Sequence, residues 1–366
     1  MGNCTYYPRT KKNSQIILKS HRDEATQRNN PEEFLSNNDF DTQSQETSNN
    51  ILKEDILSIT KTNDTSHSSI KFTFIADSEP TLLPIALQAN QTIVFEVSGQ
   101  WSFYPDYGKR DFKGYTNIMY NNINTGQLMG RVLGGSPFVI SKSKFSYTSE
   151  VSGQLMLYPN GDMISVNPEG ELYISIEGQC LTNSINDKAS WNGIRTNEQF
   201  SNILSKEELE LIELINKVRV NPSLFATQYI DKANQDNSEI FTFLMNYTPV
   251  GEVTTNISLC EAAQSHNIDI GKKGLNGHIS SDTKSGIGER VRKYSNKQIK
   301  YYGENLLFGK RKAYSILIAM LKGSTRNDRS NRYNILNEEY THIGVSIRPH
   351  IAFKYGCVIV FGRQLE

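Results

Sequence analysis

The chain has few cysteines, and none stands near another. Cys4, Cys180, Cys260 and Cys357 contain no CxxC pair, which excludes a zinc ribbon and a disulfide-stapled scaffold. Net charge is also lacking. Lys+Arg 39 balance Asp+Glu 39, so no overall field favours nucleic acid or an acidic partner. No apolar run approaches the ~18 residues of a membrane-spanning helix, and no hydrophobic signal-peptide core follows Met1. On these grounds the expected location is intracellular. There is no phosphate-cradling glycine loop, no Ser-His-Asp or Cys-His arrangement and no basic-aromatic stripe. Apolar residues make up only 37% and mean hydropathy is −0.51. That is low for one compact core, and implies a sizeable solvated segment.

Such a segment opens the chain. Residues 1–66 are rich in Asn, Ser, Thr, Gln, Asp and Glu, with too little apolar surface to offset an ordering entropy of about 1–2 kcal/mol per residue. The expectation is a disordered arm, with a brief helical turn in the cluster Ile51-Leu52, Ile56-Leu57 and Ile59. Met1-Gly2-Asn3-Cys4 begins like an acylated anchor, with Gly2 open to myristoylation and Cys4 to palmitoylation. Two chains are needed for stable anchoring, and Arg9, Lys11 and Lys12 add attraction to an anionic leaflet. The expected partner is the cytoplasmic face of a membrane. Tyr6 stands where the motif prefers Ser or Thr.

Residues 68–180 read as a β sandwich. Period-two alternation marks Ile70–Phe74 and Thr92–Val97, then a turn at Ser98-Gly99-Gln100. Further strands are expected at Phe138–Ile140, Lys144–Tyr147, Gln154–Leu157 and Glu171–Ile176, punctuated by Pro, Gly, Asn and Asp. The stretch Gly126-Gln-Leu-Met-Gly-Arg-Val132, followed by the loops around Asn160-Gly161-Asp162 and Asn167, resembles the Ca²⁺-dependent galactose-binding jelly roll of a bacterial lectin family. The resemblance implies calcium at Asn160, Asp162 and Asn167. Calcium takes about 6–8 oxygens, several of them anionic, and Asp162 is the one clear carboxylate, with Val166 where the family has a second aspartate. The alternative is that these are turn residues on a packing or protein-contact scaffold.

Residues 181–203 form a linker, with Trp191 expected to dock one module on the other. Residues 204–366 carry an ordered series: Gly277-His278, Gly288-Glu289-Arg290, Gly303-Glu304-Asn305, Ser330-Asn331-Arg332 through Asn334-Ile-Leu336, and Thr341-His342-Ile-Gly-Val345. Ser205 and Glu208 form a capping box for an amphipathic helix ending near Asn221-Pro222. A second helix is expected from Ser258 to Gly271 or Gly274, carrying His266 on its apolar face as a packed core residue. A third runs from Ala313 to Gly323. Cys357–Phe361 is a continuous apolar strand fit for a sheet centre, where burial leaves the thiol inert.

The series resembles the CAP superfamily of cysteine-rich secretory, antigen 5 and pathogenesis-related proteins. That implies an α-β-α sandwich (an α+β fold) and a cleft tetrad of two histidines and two acids able to bind a divalent metal. His278 and Glu304 match. Asn331 takes the place of the second histidine, and Gly323-Ser324 that of the second acid, so half the tetrad is lost. One imidazole and one carboxylate would hold zinc weakly. Glu289 and His342 are the residues that could rewire the cleft, and Pro349-His350 reads as a strand-turn cap. The expected function is a non-catalytic, membrane-tethered binding module for lipid, carbohydrate or protein, with homodimerisation implied by intracellular relatives. A calcium lectin and a metal-dependent hydrolase are the alternatives.

Overall fold

The computed structural model describes residues 57–61, 67–76, 79–161, 168–179, 181, 191, 197–230, 234–295, 299–323 and 329–364. Gly2, Cys4, Cys180, Asp162 and Asn167, and nearly all of the arm expected over 1–66, lie outside the described residues. A strand-rich half is followed by a half of mixed helices and strands.

The first half holds β1 (Leu57–Lys61), β2 (His67–Ile75), β3 (Thr81–Leu87), β4 (Thr92–Ser102), β5 (Tyr115–Tyr120), β6 (Ile123–Thr125), β7 (Leu128–Val132), β8 (Pro137–Val139), β9 (Lys144–Thr148), β10 (Gly153–Pro159) and β11 (Glu169–Gln179). One antiparallel sheet runs β1-β2-β11-β4-β9 and a second β3-β10-β7-β8. Alternation fixes which side chains meet between them. Ile70, Phe72 and Phe74 of β2 and Ile93, Phe95 and Val97 of β4 join Leu155 and Leu157 of β10 in one buried core.

Two expectations are corrected here, and one strand is new. The helical turn near Leu57 is strand β1, pairing Leu57 with Phe72 through Lys61 with Ser68. Ser98-Gly99-Gln100 is no turn, because β4 stays paired with β11 from Ile93 to Ser102. Gly99 has φ 97° there, and a Cβ would lie 2.5 Å from the Glu171 carbonyl, so glycine lets the strand twist without leaving the ladder. Strand β3 escapes a pattern reading because of Pro84, which removes a ladder donor; β3 is a sheet edge, where that is tolerated.

The second half holds α1 (Lys206–Val220), α2 (Pro222–Tyr229), α3 (Ser238–Met245), β12 (Thr254–Thr255), α4 (Ile257–Lys273), α5 (Ile287–Tyr294), β13 (Ile299–Phe308), α6 (Ala313–Lys322), α7 (Ser330–Ile335), β14 (His342–His350) and β15 (Lys354–Gln364). The sheet order is β12-β14-β15-β13, which puts the apolar run Cys357–Phe361 in the middle. Val358 and Val360 face α4 and α5, whereas Cys357, Ile359 and Phe361 face α1, α6 and α7. Three layers result. Among the described residues no helix is long and apolar enough to cross a membrane.

Helix α1 begins as the sequence requires. Ser205 accepts from the Glu208 amide, and Glu208 Oε2 accepts from Ser205 N at 2.7 Å. The same fully buried carboxylate takes Ile347 N at 2.7 Å and Arg348 Nη1 at 2.6 Å, pinning the helix start to β14. At the other end the buried Arg219 donates to the carbonyls of Gly251, Ile335, Asn337 and Tyr340 at 2.6–3.0 Å. Burial lowers its pKa to about 10, so it stays a cation at neutral pH. Helix α4 starts one residue before the expected Ser258, capped by Asn256 accepting from Leu259 N, and ends on Gly274 in the left-handed conformation.

The two halves are joined at α6. Glu79, buried, accepts from Arg311 N at 2.6 Å and Lys312 N at 3.0 Å, while Glu207 accepts from Ala313 N at 2.9 Å. Carboxylates thus meet the free amides of a helix N-terminus, where the dipole favours them. Leu133 and Met156 of the sandwich share the apolar core of α1, α2 and α6. Trp191 lies with them, its indole N–H donating to Gln228 at 2.9 Å. Replacing Glu79 by Ala leaves two amides unmet, and should lower unfolding free energy by about 1–2 kcal/mol in urea. An unchanged midpoint would show that the joint is held by apolar contacts alone.

Candidate functional site

Glu304 on β13 is the centre of the site. The ladder to β15 shifts register between Lys300 and Gly303, and Tyr301 there takes φ 53°. This bulge re-aims the strand just before Glu304. Gly303 is required for close approach, since a Cβ would collide with the Tyr340 hydroxyl. Beyond it the strand alternates. Glu304 faces α4 and α5, and Asn305 faces α6 and α7, donating to the Asn331 carbonyl at 2.9 Å.

Both oxygens of the buried Glu304 carboxylate are engaged. Oε1 lies 2.8 Å from His278 Nδ1, and Oε2 takes Arg290 Nη2 at 2.5 Å. His266 Nε2, on α4, is 4.0 Å from Oε1 and 2.9 Å from the Gly277 carbonyl. Arg290 Nη1 reaches the carbonyls of His278 and Ser285, both at 3.0 Å, and Ser280 Oγ at 3.3 Å, so it braces the loop that carries His278. The His278 side chain is 58% exposed. Its Nδ1 edge is the one held against the carboxylate. His266 Nδ1 and Arg290 Nε are buried without a hydrogen-bond partner.

The electrostatics follow from this packing. Burial raises the Glu304 pKa, but the His278 hydrogen bond and the Arg290 guanidinium outweigh it and hold the carboxyl below its ordinary 4.5. Burial is the main cause holding His266 below its ordinary 6.5, against the attraction of Glu304 and with help from Arg290.

No curated protein matches the chain in sequence. Residues 212–361 match the model of the cysteine-rich secretory protein family, CAP. They form a CAP domain. Similar solved structures include an extracellular SCP-domain protein from Bacillus anthracis, 14% identical over 84% of this chain and 85% of its own, TM-score 0.32. An outer surface protein from Borrelia burgdorferi is 18% identical over 44% of this chain and 97% of its own, TM-score 0.32. The N-terminal domain of EclA, described as a PllA-like lectin, is 16% identical over 30% of this chain and 94% of its own, TM-score 0.25.

The CAP domain brings His278 and Glu304 together, and adds two residues that sequence reasoning leaves out of the cleft. His266 is the packed core residue its helix face implies, yet it also points at Glu304. Arg290 is in view within Gly288-Glu289-Arg290, but a cation is not sought in a metal tetrad. Its neighbour Glu289 is turned to a different role, since Oε2 accepts from Gly286 N at 3.0 Å and caps α5. His342 pairs with Gly362, and its Nδ1 sits 2.9 Å from Thr341 Oγ1. Glu304 pairs with Val360, and Val360 with Gly344, so Gly344 stands two strands away, roughly 10 Å at the usual spacing, and His342 lies two residues further along β14. Asn331 contributes its main-chain carbonyl to Asn305, and no hydrogen bond joins its side chain to Glu304. His350 closes the β14–β15 turn, Nε2 on the Leu275 carbonyl at 2.8 Å.

The zinc that the resemblance implies does not fit this donor set. Zinc takes three or four ligands, and here the one carboxylate already carries a guanidinium. Among the described residues no three His, Cys, Asp or Glu side chains group closely enough to hold a metal ion. In the sandwich, Asn160 is buried and its amide nitrogen donates to the carbonyls of Tyr120 and Ile123 at 3.0 Å and Asn124 at 3.2 Å. It staples the β5–β6 hairpin to the end of β10, whereas Asp162 and Asn167 lie outside the described residues.

Both His266 and Glu304 have folded pKa values below their unfolded ones, so each adds stability at neutral pH that is lost on acidification. Unfolding midpoints in urea should fall as pH drops below His266's ordinary 6.5, with a further fall below Glu304's ordinary 4.5. His266→Gln should flatten the first step. A wild-type midpoint constant between about pH 7 and 5 would contradict it. Arg290→Met, which strands a buried carboxylate, should cost about 3–5 kcal/mol.

Proposed function

We propose that the protein is a binding and interaction module without catalysis of its own, built from a β sandwich and a CAP domain and held at a membrane by acyl chains on Gly2 and Cys4. The observation that carries this reading is the Arg290–Glu304 pair at 2.5 Å. A guanidinium sits where a divalent cation would have to approach, and like charge opposes it. The CAP cleft is therefore a braced structural joint with one histidine at its mouth. The sandwich, taken as a jelly roll, supplies a second recognition surface for carbohydrate or protein, and pairing of two copies through the CAP domain completes the reading.

Calorimetric titration of the purified chain with Zn²⁺ tests the cleft. The expected result is no binding that depends on His278. Micromolar zinc affinity lost in His278→Ala would overturn the reading. Titration with Ca²⁺ is the parallel arm: binding abolished by Asp162→Ala would move the function to a calcium lectin. The tether has its own test, in which a fatty-acid label is incorporated in cells and lost in Gly2→Ala.

One observation favours a hydrolytic reading, the exposed His278 ring oriented by Glu304, which is how a general base is presented to water. A hydrolase activity abolished by His278→Ala and by Glu304→Gln would establish it.

A further inference from the structure

Asn-Gly occurs three times in the chain, at Asn160-Gly161, Asn192-Gly193 and Asn276-Gly277. In such a pair the glycine's backbone nitrogen can close a five-membered ring onto the asparagine side chain. No Cβ on the second residue obstructs the closure, and the chain itself holds the two groups at high effective concentration. The reaction needs a free side-chain amide and a free backbone N–H, and the fold decides which pair has them. Asn192-Gly193 lies outside the described residues. Asn160 is buried, and its amide nitrogen donates to three carbonyls. That amide leaves only if the hairpin staple opens first.

Asn276 is the opposite case. It is exposed in the irregular loop after α4, and among the described residues neither its side chain nor the Gly277 N–H has a hydrogen-bond partner. Gly277 takes φ 111°, and nothing lies within 4 Å of where a Cβ would sit, so the pair has room to turn. Its flanks are fixed. The Leu275 carbonyl lies 2.8 Å from His350 Nε2, the Gly277 carbonyl lies 2.9 Å from His266 Nε2, and the His278 carbonyl takes Arg290 Nη1 at 3.0 Å. A pair free to react is thus set inside the brace of the cleft, directly before His278.

We propose that Asn276-Gly277 is a site of spontaneous covalent rearrangement. The Gly277 nitrogen bonds to Asn276 Cγ, the Cγ–Nδ2 bond breaks, and the amide leaves as ammonia with the proton lost from the Gly277 nitrogen. Water then opens the succinimide. Opening at Cγ gives aspartate, and opening at the main-chain carbonyl carbon gives isoaspartate, in which the chain runs through Cβ and Cγ. The isoaspartate adds a methylene to the main chain and leaves a carboxylate two residues from His278. The Gly277 and His278 carbonyls then lose the spacing at which they meet His266 and Arg290. The loop that holds His278 against Glu304 therefore loosens as the protein ages. Water is the only co-reactant, and neither a metal nor an acyl chain takes part.

The test is to age the purified full-length chain in mildly alkaline buffer, where the attacking nitrogen is more readily deprotonated, and to map its tryptic peptides. The peptide of residues 274–284, cut after Lys273 and Lys284, should gain the mass of an amide becoming an acid, and an isoaspartyl methyltransferase should methylate it. Conversion at Asn276 should run at least about tenfold faster than at Asn160, whose reaction waits on local opening. In chain unfolded by urea that difference should collapse. Asn276→Gln, whose longer side chain closes a ring poorly, should neither convert nor accept methyl groups at this position. The urea midpoint of aged wild-type chain should fall below that of fresh chain, and the Asn276→Gln midpoint should hold through the same treatment. No conversion in the folded chain, or equal conversion at Asn160, would overturn the proposal. So would an aged chain that carries isoaspartate at 276 and keeps the midpoint of the fresh one.

Discussion

One buried cation organises the CAP domain. Arg219 closes α1 and binds four carbonyls, one from the segment before β12 and three from the stretch joining α7 to β14. An unmatched guanidinium in that position would be costly, and these four carbonyls satisfy it. The position of α7 against β13 depends on it, and so does the start of β14. Asn305 then registers β13 against α7 through Asn331 and Asn334, and Glu304, one residue earlier, is fixed on the opposite face.

Acidic residues act in the complementary sense. Glu208 joins a helix start to β14, Glu239 takes the buried Arg332 through both oxygens at 2.9 and 2.7 Å, Glu304 takes Arg290, and Glu79 reaches across from the sandwich. A chain with balanced charge could have solvated all its ions. This one places several inside, each against an arginine or a row of main-chain amides. Such pairs add modestly to stability but make particular alternatives expensive, and that is the property a braced cleft needs. Arg290 shows the consequence for chemistry, because the same pair that fixes the loop around His278 fills the place a metal would use.

Much of this is legible in the sequence. The capping box at Ser205 and Glu208, the apolar stripe of α1, the glycine closing α4 and the buried run from Cys357 to Phe361 all carry local signals, and the structure follows them. His278 and Glu304 are visible through their motif. What is hidden depends on distant contact. Leu57–Lys61 has a strand's backbone only because β2 offers it an edge, and β3 keeps Pro84 because its other side is open. Gly99 looks like a turn because its tolerance for positive φ serves a twisted strand equally well. Arg219 gives no signal, and Arg290 none beyond its place in Gly288-Glu289-Arg290, since an arginine reads as solvated until its carbonyls or its carboxylate are seen.

The Glu79 contact also bears on where one module ends. By composition the boundary falls in the linker before Leu204, and a chain cut there would retain every strand and helix of the CAP domain. It would also leave the amides of Arg311 and Lys312 facing water, together with the apolar patch covered by Leu133 and Met156. The unit of sequence is thus smaller than the unit of folding, and a CAP domain of this kind would be inherited with its sandwich or would need a new acid to close α6.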